Sequence, residues 1–545
     1  MRRVGFGSGL VVGLVAVVLL ATACGGSSGS AGDALVDLST FIGGPAEHLD
    51  PALDTSTTGL VGALYDGLTD LDYSDPAHPL VKPLLAESFQ ANADASEWTF
   101  KIRKDMTFSN GEQIKPSSFV RAWERASDPD FAGNYSYLFN FIEGGKAKLD
   151  GAATSLAGVE GDDDSMTLRV KLSAPYSNFA TVAGFQLFAP MPSAVDKLKD
   201  QADWENGLMI GNGPYKLASP RTDAEVVLIR NDKWAGDVNG NKWPDRVSKI
   251  TFRVSADPDT AYNAFEAGEG DMTAIPPGRT KDAEKNYATT SHVDIAGVYY
   301  FAVNQEDPVV GGPKNVLLRR AISQAIDRGA INEAIYDGNR ADATGVTPAG
   351  IPGHKPKLCT FCALDRAAAK LAFDQWKAAG NTLRTPLKIQ FNAGAGHEEL
   401  VQMIVDNLKA IGIEAEAESR PGETYFSEVA QGKCQICRSG WFADYPAYDN
   451  FMFDLFHSDS IGGNNEGRYH NAAFDGLVDE AKRTVDPARQ AGLFQQAEEL
   501  LLNTDMAAIP INFYKGGEVY NPKKIASLPI DGLGKVAWEQ VKLRG

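Results

Sequence analysis

Histidine is scarce and scattered in this sequence of 545 residues: the seven stand at 48, 78, 292, 354, 397, 457 and 470. None forms an HExxH pair or another spacing that would hold a catalytic zinc, and HEEL at 397–400 reads as a helix start with acids near its positive end. No GxxxxGK[ST] loop is present, so the chain lacks that cradle for the phosphates of ATP. Basic residues are outnumbered, 52 to 71, and a net charge of −19 repels a phosphate backbone, which argues against nucleic acid as a partner. Short acid runs such as GDDDS at 161–165 read as solvated turns. Low-complexity sequence is missing beyond one Gly/Ser stretch, and no repeat is visible. Cysteine is sparse: of five residues, four lie in two Cys-x-x-Cys pairs, CTFC at 359–362 and CQIC at 434–437. What is there is ordinary globular composition, 43% hydrophobic and 23% charged, in a chain long enough for two or three domains.

The N-terminus reads as an address. MRR is a short basic region, GLVVGLVAVVLLA an apolar core too short to favour a spanning helix, and TAC a small-residue cleavage site ending at Cys24. GGSSGSAG follows as a flexible linker. The pattern resembles a bacterial lipoprotein signal, with Ala21 where such signals usually carry Leu. It implies removal of residues 1–23, acylation of Cys24, a lipid-anchored linker at 24–33, and a mature chain tethered on the extracytoplasmic face of the membrane. GGSSG matches GxSxG in form but lacks the strand and helix that would expose a nucleophilic Ser.

Beyond the linker, strand and helix patterns mix. EWTFKIRKDMTF at 97–108 alternates like a strand pair. LLRRAISQAIDRGAINEAIY at 317–336 places Leu318, Ile322, Ala325, Ile326 and Ile331 on one helical face. HEELVQMIVDNLKAIGIEAEAES at 397–419 reads as a helix ended by Gly412 and then a strand. This alternation predicts α/β lobes with helices covering sheets.

Several segments together, in order, resemble the peptide-binding solute-binding proteins of bacterial ABC importers, extracellular family 5. They are HLDPALDTSTTGLVGALYDGLTDLD (48–72), PLLAESFQANADASEWTFKIRKDMTFSNGEQIKPSSFVRAWERASDP (83–129), GNGPYKL (211–217), FAVNQEDPVVGGPKNVLLRRAISQAIDRGAI (301–331), RSGWFADYPAYDNF (438–451) and IPINFYKGGEVY (509–520). The resemblance implies a two-lobe periplasmic-binding-protein-like clamp of type II with three domains. Domain I would comprise 34–72, 216–298 and 512–545, and domain II, in the same lobe, 73–215. Domain III, the second lobe, would comprise 299–511. Two hinge crossings would fall near VYYFAVN and IPINFYK. It also implies no catalysis and no cofactor, short peptides as ligand, and the permease and ATPase subunits of an importer as partners, with the chain a monomer.

An extended peptide offers three constant features: an ammonium end, a carboxylate end and a ladder of backbone groups. In the family, the Asp of a Trp-x-x-Asp element anchors the ammonium; here that element is Trp441 to Asp444, so Asp444 takes the role. A turn-capping role for Asp444 before Pro446 is the plainer alternative. Arg438 matches a position that reaches the ligand carboxylate in some oligopeptide binders, against an Arg paired inside the lobe. Trp441 and Tyr445 would wall side-chain pockets, with core packing the alternative. By analogy Tyr300 would face the cleft, and the backbone at Ser56 would pair with the ligand strand.

DVNGNKWPD at 237–245 begins like a calcium loop but lacks its sixth-place Gly and twelfth-place Glu, so it reads as a polar turn and no metal is expected. The two Cys pairs stand about 70 residues apart, beyond usual zinc-knuckle spacing, in a compartment expected to be oxidising. CQIC reads as strand, where Cα atoms three residues apart lie about 10 Å from each other, too far for a local bridge. One or two bridges joining Cys359 and Cys362 to Cys434 and Cys437 are therefore expected, stapling the loop before the 363–379 helix to the strand bearing Arg438. A mixture with one free or local pair stays open. The rival functions are the same fold holding haem, a metal chelate or an oligosaccharide, a ligand-loaded sensor, and a zinc or thiol enzyme using the cysteines.

Overall fold

The computed structural model describes residues 36–54, 58–72, 79–131, 133, 135–198, 202–205, 207, 209–236, 247–394 and 396–544. The leader, Cys24, Ser56 and the whole of the 237–245 loop lie outside the described residues.

The alternation in EWTFKIRKDMTF becomes the strand Glu97–Ile102, with Trp98, Phe100 and Ile102 buried on one face. It pairs antiparallel with Ala86–Ala91 and Thr167–Lys171, and Val159–Asp162 completes a four-stranded sheet. In a second four-stranded sheet, Val36–Ile42 pairs parallel with Val247–Val254, followed by Glu225–Arg230 and Tyr215–Leu217. GNGPYKL leads into this sheet past the end of the Thr58–Leu64 helix, whose Leu64 carbonyl accepts from the Asn212 and Gly213 amides at 3.1 and 2.8 Å. A Cβ on Gly213 would come within 2.6 to 2.8 Å of backbone atoms of residues 63–65, so glycine is required there.

Buried apolar side chains form two large clusters. The first draws on residues between Leu38 and Met272 and between Ile525 and Leu543, and the second on residues between Ala296 and Phe513. The second surrounds a six-stranded sheet of order Ala341–Asp342, Ala508–Lys515, Asp294–Val303, Ile436–Phe442, Leu387–Asn392 and Ala415–Arg420. VYYFAVN and IPINFYK lie in its neighbouring antiparallel strands, with Tyr299 opposite Asn512 and Ala302 opposite Ala508. Asp294–Val303 is buried on both faces after its first residue, which explains its unbroken apolar run.

The 317–336 stretch is two helices rather than one. Val316–Ala325 buries Leu318, Ala321, Ile322 and Ala325, after which Ile326 turns extended and Asp327 caps the helix Arg328–Tyr336 by accepting from the Ala330 amide. Arg319 and Arg328, both buried, donate to backbone carbonyls instead of acids. Arg319 meets Val310 and Asp505, and Arg328 meets Ser323 and Pro510 at 3.0 and 2.7 Å, which ties these helices to the chain entering Ala508–Lys515. Glu398–Ala410 ends as expected, with Gly412 at φ 84° before the strand Ala415–Arg420.

The cysteines require a correction. Cys359 pairs with Cys362 and Cys434 with Cys437, at Cα–Cα distances of 5.5 and 5.8 Å, so the bridges are local and do not join the pairs. CTFC is a turn ahead of the helix Arg366–Ala378. CQIC is only half strand: the strand begins at Ile436 and the chain bends at Gln435. The Gln435 amide donates to Gln390 Oε1 at 2.6 Å, and its Oε1 accepts from the Lys388 amide at 2.8 Å, which holds Cys434 back within reach of Cys437. In the chain-entropy account so short a loop gives about 2 kcal/mol, against about 4 kcal/mol for the long loop expected.

Among the described residues no helix is long and apolar enough to cross a membrane.

Candidate functional site

The strand Ile436–Phe442 pairs along its whole length with Asp294–Val303 but meets Leu387–Asn392 only at Ile436 and Cys437. From Arg438 onward its other edge carries no strand among the described residues. The Ala443 amide donates to Ala296 O at 2.8 Å. By the two-residue alternation of antiparallel pairing, Trp441 and Ser439 therefore also bond inward, and the backbone groups of Gly440 and Phe442 face the open edge. An extended ligand can add there as a further strand.

One end of that edge is acidic. Asp444 follows the strand and is only 9% exposed. Asn450, in the helix Asp449–Phe456, holds it: Asn450 Oδ1 accepts from the Asp444 amide at 2.9 Å and from Trp441 Nε1 at 3.0 Å. Asn450 Nδ2 donates to Asp444 Oδ2 at 3.2 Å and to Asp454 Oδ2 at 2.8 Å. Burial pushes the Asp444 carboxyl up to about 6, against the lowering effects of Asn450, Lys535 and Tyr135. Burial and the neighbouring Asp444 raise the Tyr135 phenol, so its hydroxyl stays a donor toward the carboxylate.

The same element joins the two cores. Tyr445 and Ala447 pack into the first cluster although their neighbours belong to the second. Asp449 accepts from Tyr176 Oη, from Asn178 Nδ2 at 2.9 Å and from Tyr445 Oη at 3.1 Å, while Tyr137 Oη donates to Asp454 at 3.5 Å. Gln490 Nε2 donates to Ser177 Oγ at 2.7 Å.

The other end is cationic. Strand alternation sends Arg438, with Gly440 and Phe442, to the face opposite Trp441. The Arg438 guanidinium lies 5.0 Å from the centre of the Tyr299 ring, and its Nη1 is 3.4 Å from Asn392 Oδ1. Tyr299 Oη is 3.2 Å from Nδ1 of His397. Arg438 Nε and His397 Nε2 are buried without a hydrogen-bond partner. Burial, with Arg438 adding to it, lowers His397 to about 4 and keeps it neutral.

The structure thus places Arg438 and Trp441 on one strand and Asp444 just beyond its end, so that the two charges flank the open edge. Tyr300 is 1% exposed, packs against Phe456 and shares the Trp441 face, and Tyr445 is buried with its hydroxyl on Asp449. Ser56 lies outside the described residues. His397, Asn450, Tyr135 and Tyr137 join the site without having been singled out for it. His397 was hidden by reading as a helix start; its place between one strand and the next helix, a usual site for cleft residues, was the available signal.

Residues 81–463 match the family described as bacterial extracellular solute-binding proteins, family 5 Middle. The chain is 25% identical to the oligopeptide-binding protein OppA of Bacillus subtilis, covering 97% of each chain. It is 28% identical to the periplasmic oligopeptide-binding protein OppA of Escherichia coli, covering 94% of each. Among solved structures, Haemophilus influenzae OppA in complex with the peptide RPPGFSPFR superposes with a TM-score of 0.74 at 25% identity, covering 93% of this chain and 98% of that one. The fold is the two-lobe clamp of these binding proteins.

Proposed function

Because the chain belongs to the bacterial extracellular solute-binding proteins of family 5, we propose that it captures short peptides between its two lobes and delivers them to the permease of an ABC importer. The observation that carries this reading is the open edge of Ile436–Phe442, flanked by the buried carboxyl of Asp444 at one end and the guanidinium of Arg438 at the other. The peptide adds as a strand against Gly440 and Phe442, its ammonium pairs with Asp444, and its carboxylate reaches Arg438 and His397. Five residues stand between the two anchors, six steps of extended chain or about 20 Å before both side chains reach inward, which suits roughly three to five residues of extended peptide.

The lobes divide as 34–72, 216–298 and 512–545 with 73–215 on one side and 299–511 on the other, and the backbone at Ser56 supplies the second flank of the ligand strand. Trp441 walls a side-chain pocket. Closure is driven by the ligand, since only a bound peptide contacts both lobes at once. The mature chain acts as a monomer held to the extracytoplasmic face by acyl chains on Cys24.

Native mass spectrometry of the freshly purified protein tests this. A set of co-purified masses matching peptides of three to five residues is expected. A homogeneous non-peptide mass, such as haem or a metal chelate, contradicts it.

A further inference from the structure

The cationic end holds a second guanidinium that peptide capture by one terminal carboxylate does not use. Arg340 follows the Arg328–Tyr336 helix, and its Nη1 donates to the carbonyls of Asn339 and Lys515, each at 3.1 Å. These two bonds fix the side chain beside the Ala508–Lys515 strand. Its guanidinium lies 4.9 Å from the centre of the Tyr336 ring and 5.0 Å from that of Tyr514. Its Nε, like that of Arg438, is buried without a partner.

Tyr514 connects the two arginines. Its hydroxyl and Nη2 of Arg438 both border Gly440, where a Cβ would stand 2.8 Å from the first and 3.4 Å from the second. A side chain at 440 would therefore collide with this pair, and glycine keeps the strand edge clear. Phe442, 56% exposed, stacks on the Tyr514 ring at 4.4 Å. Tyr514 thus meets Arg438 through its hydroxyl and Arg340 through its ring, and bridges from the Ala508–Lys515 strand across to Gly440 on the sheet face that carries Arg438.

Neither arginine takes part in an ion pair among the described residues. The carboxyl whose field reaches Arg438 is Glu466, which hydrogen-bonds to Ser439 on the other face of the strand, and burial lifts it to about 7. His397 adds no charge of its own. Aromatic faces compensate a guanidinium only in part, and a desolvated cation without an anion is costly. One carboxylate placed here leaves the second guanidinium unmatched.

We infer that this end of the site takes two anionic groups, and that the preferred peptides end in glutamate or aspartate, with the α-carboxylate on Arg438 and the side-chain carboxylate on Arg340. A planar guanidinium engages a carboxylate bidentately, and two held on either side of Tyr514 offer one partner to each carboxylate of an acidic terminal residue. The inference rests on the peptide-capture reading above.

The test is isothermal titration of the intact protein, and of its Arg340→Gln variant, with Ala-Ala-Ala-Glu and its isostere Ala-Ala-Ala-Gln. The wild type is expected to bind the Glu peptide at least about tenfold more tightly than the Gln peptide. Arg340→Gln is expected to lose that preference, its affinity for the Glu peptide falling to that for the Gln peptide. Equal affinities in the wild type overturn the inference and leave peptide capture standing, and that comparison needs no variant to fold. A preference that survives in Arg340→Gln overturns the assignment to Arg340. Failure of the wild type to bind either peptide overturns both readings.

Discussion

In its proposed role Asp444 has to be two things at once, a group buried well enough to hold a ligand and a charge able to pair with an ammonium. Burial lifts its carboxyl to about 6, so in the unliganded protein it takes up a proton as the pH falls through that value. Pairing needs the ionised form, and binding below pH 6 therefore costs a proton release. Peptide affinity is expected to fall about tenfold per pH unit below 6. At the other end Glu466, lifted to about 7, ionises as the pH rises and competes with the ligand carboxylate for Arg438, so a shallower decline is expected above 7. His397, at about 4, stays neutral across this range. Titration calorimetry from pH 4.5 to 8 should give a maximum between 6 and 7; affinity that keeps rising toward pH 4.5 contradicts the role of Asp444. Asn450 adds a second check. Three of its bonds set Trp441 and Asp444, so Asn450→Ala should weaken peptides with a free amino end by about tenfold and N-acetylated ones much less. At this scale the sequence was partly legible: the family resemblance of Trp441 to Asp444 pointed to the proposed anchor, but nothing local could show that Tyr135 and Tyr137, from a segment some 300 residues away, meet Asp444 and Asp454.

The strand Ile436–Phe442 is the element on which the site depends. Its apolar and polar order made it recognisable as a strand. The error was to extend it through Cys434, because side-chain order does not reveal a backbone bend held by distant Gln390. The same kind of miss merged Val316–Ala325 with Arg328–Tyr336, since Asp327 fits a helix face as well as it fits a cap. The Cys434–Cys437 bridge fixes that bend just before Arg438. Removing it with Cys434→Ser and Cys437→Ser together should lower stability by about 2 kcal/mol, read as a reduced midpoint in denaturant, with peptide affinity lowered less than stability. An unchanged midpoint would show that the bend is held by Gln435 and Gln390 alone.

In the whole molecule, the contacts of Asp449 with Tyr176 and Asn178 and of Gln490 with Ser177 fasten the second core to the first outside the proposed ligand path. They hold one core to the other without touching the proposed ligand path. Tyr176→Phe combined with Asn178→Ala should therefore weaken every peptide by the same factor, about five- to tenfold, and enlarge the radius of gyration of the unliganded protein in solution scattering. A loss confined to one class of peptide would place these residues in the pocket instead. The two-lobe architecture was legible in the order of six segments, each matching the family only modestly, whereas contacts between the two cores, made by residues far apart in sequence, were not.

The claim on which the account turns is that Asp444 receives the peptide ammonium. The direct measurement is the affinity of one tetrapeptide, with free and with acetylated amino end, for the wild type and for Asp444→Asn. Acetylation should cost the wild type about a hundredfold, close to 3 kcal/mol, and cost Asp444→Asn almost nothing. If the wild type binds the acetylated peptide as tightly as the free one, Asp444 is not the anchor.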